Sequence, residues 1–247
     1  MKAILIGCEY VGTTTLAEGI RHWSNEVMGK GLVAYHDHWK IPHTSGHRGL
    51  DDENLFTPEE QEQFLALTPK AKEMFQRHNI TYHVQPDALR NPDYLSIGLH
   101  IENAIYAPMY FDYYVGDQAW ARQAVIDHIE EVILEFAPTM PLVLVKASPG
   151  AIADRMKASP HHNQVIDEED IGRVSDEFEV EFERSAIRNK FTIDTTEGTP
   201  EETLEQFLEQ FEPYLNEADK LFNQFRFRFP LKNNFIASIV PNGNHQD

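Results

Sequence analysis

The chain has 247 residues, 41% of them hydrophobic and 25% charged, which is enough apolar side chain to bury a full core and too much for wholesale disorder. Forty acidic against 21 basic side chains give a formal charge of -19, a field that repels nucleic-acid phosphates and anionic membrane and leaves a small molecule as the expected partner. The one cysteine, Cys8, excludes an internal disulfide framework and a multi-cysteine zinc site, and the absence of a signal-peptide core or a membrane-length apolar run completes the expectation of a cytoplasmic protein.

In chain order, the run from Lys2 to Ile6 is apolar after the lysine, the pattern of a strand buried on both faces of a parallel sheet. Leu16, Ile20, Trp23 and Val27 follow at helical spacing, with Gly29 placed as a C-cap. A second strand is expected at 32–35, ending in the polar cluster His36, Asp37, His38, Trp39 and Lys40. Residues 41–52 read as a surface loop. Thr57-Pro58-Glu59-Glu60 predicts a capped helix start that runs on through Phe64, Leu67 and Phe75, so that about 53–80 form a helical insertion. A third strand is expected over 94–101 with Glu102 beyond its end and the aromatics Tyr106, Tyr110, Phe111, Tyr113 and Tyr114 close behind.

A long helix is expected over 118–136, a buried strand over 142–145, and a short helix over 150–156 that carries Arg155. The polar stretch 158–168 and the charged amphipathic stretch 170–188 read together as a mobile lid, about 156–188. A last strand at 191–193 ends at Asp194-Thr195-Thr196, and a closing helix spans 200–214. Residues 216–247 read as a C-terminal extension, with Phe222, Phe225, Phe227 and Phe229 in alternation and disorder beyond Pro241. Strands alternating with helices predict one α/β domain over 1–215 with a mostly parallel, five-stranded sheet.

Gly7-Cys8-Glu9-Tyr10-Val11-Gly12-Thr13-Thr14 follows an apolar strand and opens a helix, the context that a GxxxxGK[ST] phosphate-binding loop requires, with threonine at the lysine position. Such glycine spacing also occurs in plain strand-to-helix turns; the strand before it and the amphipathic helix after it favour the phosphate loop. Here the chain resembles the P-loop nucleoside and nucleotide kinases, as a pattern over about residues 1–212. The resemblance implies the three-layer P-loop fold with a helical insertion and a lid, ATP and Mg2+ as cofactors, and transfer of the γ-phosphoryl group to a nucleoside, a nucleotide or another small hydroxyl or phosphate acceptor. A homodimer is among the assemblies it allows.

Carried over by position, Gly7, Tyr10, Val11, Gly12, Thr13, Thr14 and Thr15 would form the nucleotide-binding loop, and Thr14 would ligate magnesium. Thr195 would lie beside the adenine. By the same analogy Asp37 is the expected base and Glu102 the second magnesium partner, each against the plainer reading of a helix cap or hydrated turn. Thr13 removes the charge that bridges the terminal phosphates, so Lys40, Arg155, Arg184 or Arg188 is expected to replace it, Arg155 foremost. Arg173, Arg184 and Arg188 would clamp phosphates from the lid, unless they pair with the surrounding acids. His36, His38, Lys40 and Tyr106 are the remaining substrate contacts, although aromatic clusters more often pack a core. His36, His38, His43 and His47 show neither HExxH nor paired Cys/His spacing, which disfavours a transition-metal site. Gly12-Thr13-Thr14 also resembles the loop with which sulfotransferases grip a phosphosulfate donor, but Tyr10-Val11 stand where those loops carry Arg or Lys. A nucleotide-binding protein without catalysis is the third reading.

Overall fold

The structure is a computed structural model that describes residues 1–27, 32, 35–37, 41, 56–161, 164–217 and 219–221. Four parallel strands, β1 (Lys2–Ile6), β2 (Tyr94–Ile97), β3 (Leu142–Lys146) and β4 (Lys190–Asp194), lie in the order β2-β1-β3-β4. Burial explains their composition: every residue of β1 after Lys2 and all of β2 are buried, as strands covered on both faces must be. Among the described residues the sheet therefore has four strands, one fewer than expected. The second expected strand contributes an isolated bridge, His36 to Ser96, on the outer side of β2, with the His36 amide donating to Leu95 O at 3.0 Å and the Ile97 amide to His36 O at 2.8 Å. That contact holds Asp37 at the same end of the sheet as the loop after β1.

Helices cover both faces. α1 (Thr13–Val27) packs on α9 (Pro200–Phe211), while α5 (Leu99–Tyr110) packs on α8 (Ile171–Arg184) and on α6 (Ala119–Phe136). Right-handed crossovers demand this division: the chain leaves β1 toward β2, but leaves β3 toward β4, so the connecting helices fall on opposite faces. The crevice where the winding reverses lies between the C-terminal ends of β1 and β3, the position at which such sheets bind ligands.

The insertion differs from its expectation in number. Instead of one helix it holds α2 (Pro58–Leu65), α3 (Pro69–His83) and the short α4 (Pro86–Arg90). Thr57 opens α2 with a reciprocal capping box to Glu60. Thr68, extended at ψ 150°, caps α3 through the Ala71 amide, and Pro69 cannot continue α2 because it lacks an N–H, so Leu67 and Phe75 belong to a break and a second helix. β2 also ends four residues earlier than expected. Gly98 turns the chain at φ 74° and α5 starts at Leu99, which puts Glu102 in a helical first turn. α7 (Pro149–Ala158) begins at a Ser148 cap directly after β3.

The stretch expected as a lid holds α8 over much of its length. α8 buries Ile171, Val174, Phe178, Glu181 and Phe182 and packs on β3, α5 and α7, so residues 171–184 are part of the core. The alternating charges of its outer face had marked it as a surface element. The closing helix ends at Phe211 and tightens into a single 3-10 turn, and the phenylalanines of the extension lie outside the described residues.

Candidate active site

The loop after β1 is a tight cradle. A Cβ at Gly7 would stand 2.3 Å from Val145 O on β3, so only glycine lets the loop leave the strand in this direction. Tyr10 and Gly12 take positive φ, 66° and 95°, and the Val11 amide donates to Cys8 O at 3.3 Å. Cys8 to Val11 are buried, whereas Thr14 and Thr15 in the first turn of α1 are exposed. α1 has no acid of its own in that turn, which leaves the positive end of its dipole to a negative group from elsewhere.

Thr14 has an acidic neighbour. Its Oγ1 donates to Asp37 Oδ2 at 3.3 Å, linking the loop to the segment that runs beside β2. These are two hard oxygen donors, the kind that suit magnesium. Among the described residues no group of three or more His, Cys, Asp or Glu could hold a metal ion, so any cation here would complete its shell with ligand oxygens and water. Glu102 is buried in the first turn of α5, and its carboxylate folds back so closely that a Cβ at Gly98 would lie 1.8 Å from Oε2.

Arg155 brings a cation to the backbone of the loop. One guanidinium nitrogen donates to Tyr10 O at 3.1 Å and to Thr195 Oγ1 at 3.0 Å, and the other to Thr195 O. Thr195 Oγ1 in turn donates to Val11 O at 2.7 Å. Arg155 and Thr195 thus tie the loop to the ends of β3 and β4. Asp194, next in line, is held below its usual carboxylate range by the Thr196 hydroxyl and amide, with Lys146 and Arg155 adding to the effect. A cleft of about 260 Å³ opens beside the loop, floored by Cys8, Val11 and Phe178 and edged by Lys146, Asp194 and Thr196.

Other expected substrate residues fall away from this centre. Tyr106 is buried under the loop, where burial and then the nearby Cys8, Glu102 and Glu9 push its hydroxyl pKa well up; it packs edge-on to Phe178 and is a floor, not a stacking wall. His36 rests against His83 and Tyr94, with ring centroids 4.7 and 5.4 Å away. Arg184 ends α8, five residues past Glu179 at the cleft and so about 7.5 Å along the helix axis; there it pairs with Glu181 at 3.0 Å and Gln123 at 2.5 Å. Arg188 is exposed just before β4, at the sheet edge opposite the loop. Arg173, near the cleft, pairs with Asp170 at 2.7 Å. For Arg184 and Arg173 the helix pairing with acids wins over a phosphate clamp. His38 and Lys40 lie outside the described residues.

The reach of two loop side chains to residues 164–166 escaped the sequence reading. Glu9 accepts the amides of Val165 and Ile166, and the Tyr10 hydroxyl bonds Gln164. The signal was present: a carboxylate inside an anion-binding loop is locally inconsistent and calls for a partner elsewhere.

The fold matches that of a deoxyadenosine kinase from M. mycoides, solved with bound dATP, at a TM-score of 0.53. The match covers 85% of this chain and 99% of that one at 18% identity, a likeness of fold. No family model and no curated protein matches the sequence.

Proposed function

We propose that the chain is an ATP- and magnesium-dependent kinase that phosphorylates a small hydroxyl-bearing acceptor of the nucleoside class. The observation that carries this reading is the meeting of Thr14 and Asp37 at the mouth of the loop, at the switch point of the sheet. The acceptor class rests on the fold shared with a deoxyadenosine kinase.

In this reading the outward amides of the loop and of the first turn of α1 bind the donor phosphates. Thr14 and Asp37 hold the magnesium ion, with Glu102 as a further oxygen donor. Magnesium neutralises charge on the transferring group. Asp37 keeps its second oxygen for the acceptor hydroxyl, which it orients and deprotonates. Arg155, always charged, supplies positive potential under the loop in place of the missing lysine, by stiffening the amide cradle and by its field.

ADP release from ATP should be measured over a panel of ribo- and deoxynucleosides, with Asp37→Asn beside the wild type. The reading expects at least one nucleoside to raise ADP release and Asp37→Asn to lower that rate about 100-fold or more. Stabilisation by adenosine 3′,5′-bisphosphate and by no ATP complex would contradict it in favour of a phosphosulfate donor.

A further inference from the structure

The phosphate loop carries a carboxylate that an anion site should not tolerate. Glu9 is only 6% exposed and its negative charge lies within the same backbone turn that would face donor phosphates. The structure disposes of the charge in a specific way. Glu9 Oε2 accepts the Val165 amide at 2.9 Å and the Ile166 amide at 3.0 Å, from the segment that follows α7. Tyr10 doubles the connection: its hydroxyl donates to Gln164 Oε1 at 2.6 Å and accepts the His161 amide at 2.8 Å, and its ring stacks on His161 at 4.0 Å and 20°. Gln164 Nε2 returns to Ile166 O at 2.8 Å, and the Ile166 side chain is fully buried, so the far side of the connection is rooted in the core.

We propose that Glu9 is a positioning residue that fastens residues 164–166 to the phosphate loop, so that those residues and the loop hold one shape and donor binding depends on both. The proposal rests on the donor reading above for its second half. Tyr10 shows why the clasp matters to the loop. Its backbone sits at φ 66°, an unfavourable conformation for a bulky residue, and it persists only because surrounding contacts over-determine it. Those contacts include the bonds and the stacking of its side chain, and Arg155 on its carbonyl at 3.1 Å. The clasp thus does two things: it turns a charge away from the phosphate face, and it holds the amide cradle preformed. Without it the two segment amides go to water, the loop relaxes, and the Glu9 carboxylate is free to swing toward the site of the donor phosphates.

Glutamine keeps a carbonyl able to accept both amides, while alanine removes the acceptor, so the two substitutions separate the hydrogen bonds from the charge. Amide hydrogen exchange over 164–168 should be followed in the wild type, Glu9→Gln and Glu9→Ala, without nucleotide and with ATP and magnesium, alongside calorimetric titration of ATP. Glu9→Ala is expected to exchange at Val165 and Ile166 at least tenfold faster than the wild type in the free protein and to bind ATP about tenfold more weakly, while Glu9→Gln stays within about twofold on both measures. Equal exchange in Glu9→Ala and wild type would overturn the clasp. Faster exchange with unchanged ATP affinity would overturn its link to the donor. If the wild type binds no ATP, the donor reading and that link fall together, and exchange in the free protein still decides the clasp. Should Glu9→Ala not fold, Tyr10→Phe, which removes the hydroxyl that accepts the His161 amide, must speed exchange at His161 for the clasp to stand.

Discussion

Arg155 shows how a residue picked for its charge acquires a different task in the fold. Its guanidinium spans Tyr10 O, Thr195 O and Thr195 Oγ1, a planar fork that lysine cannot reproduce. Arg155→Lys is expected to keep the charge yet lose about 1–3 kcal/mol of stability, read as a lower midpoint in urea unfolding at unchanged slope. Its charge was legible from the sequence; its partners were not, because Thr195 lies forty residues further on and no periodicity relates them.

A second residue-scale expectation concerns Glu130, far from the loop. Burial pushes its carboxyl pKa up, but the bonds from His100 at 3.1 Å, Ser185 at 2.5 Å and the Ala186 amide at 2.6 Å outweigh this and hold it below the usual glutamate range. A depressed folded-state pKa contributes stability that is fully present above the unfolded value, about 4.3, and is lost as pH falls through the lower folded one. Glu130→Gln should therefore flatten the fall in stability below about pH 4.3, measured by urea unfolding across a pH series. An unchanged acid limb would show that the cluster carries no linkage.

At the scale of elements, the strands were readable because strands buried on both faces leave unbroken apolar runs. Leu142 to Val145 and Ala3 to Ile6 were found nearly residue for residue. The break between α2 and α3 was also written in the chain, as Thr68-Pro69, but Phe64, Leu67 and Phe75 offered a competing helical spacing across it. α8 was the harder case. Its buried stripe of Ile171, Val174, Phe178 and Phe182 is narrow and interleaved with acids, so charge density pointed outward while packing pointed inward. Phe178→Ala tests the assignment: as a core residue under the loop it should cost about 3–5 kcal/mol, whereas a residue on a mobile lid would cost little. Equilibrium unfolding of that variant decides between them.

For the molecule as a whole, a formal charge of -19 opposes the approach of a polyanionic donor. Local amides and Arg155 act over a few ångströms, while the net field acts over the Debye length, which shrinks from about 30 Å at 0.01 M to about 8 Å at 0.15 M ionic strength. Stopped-flow association of a fluorescent ATP analogue is thus expected to quicken by about two- to fivefold over that range. Slowing instead would mean that a basic patch steers the donor and that the repulsive account is wrong.

A loop without its lysine, completed by Thr14, Asp37 and Arg155, is proposed to bind a magnesium nucleotide through its phosphates. Calorimetric titration of ATP into wild type and Thr14→Ala, each with and without magnesium, tests it most directly. The account predicts that magnesium tightens binding to the wild type at least tenfold and that Thr14→Ala loses most of that gain. Binding that ignores both magnesium and the Thr14 hydroxyl, or no binding of ATP at all, would contradict it.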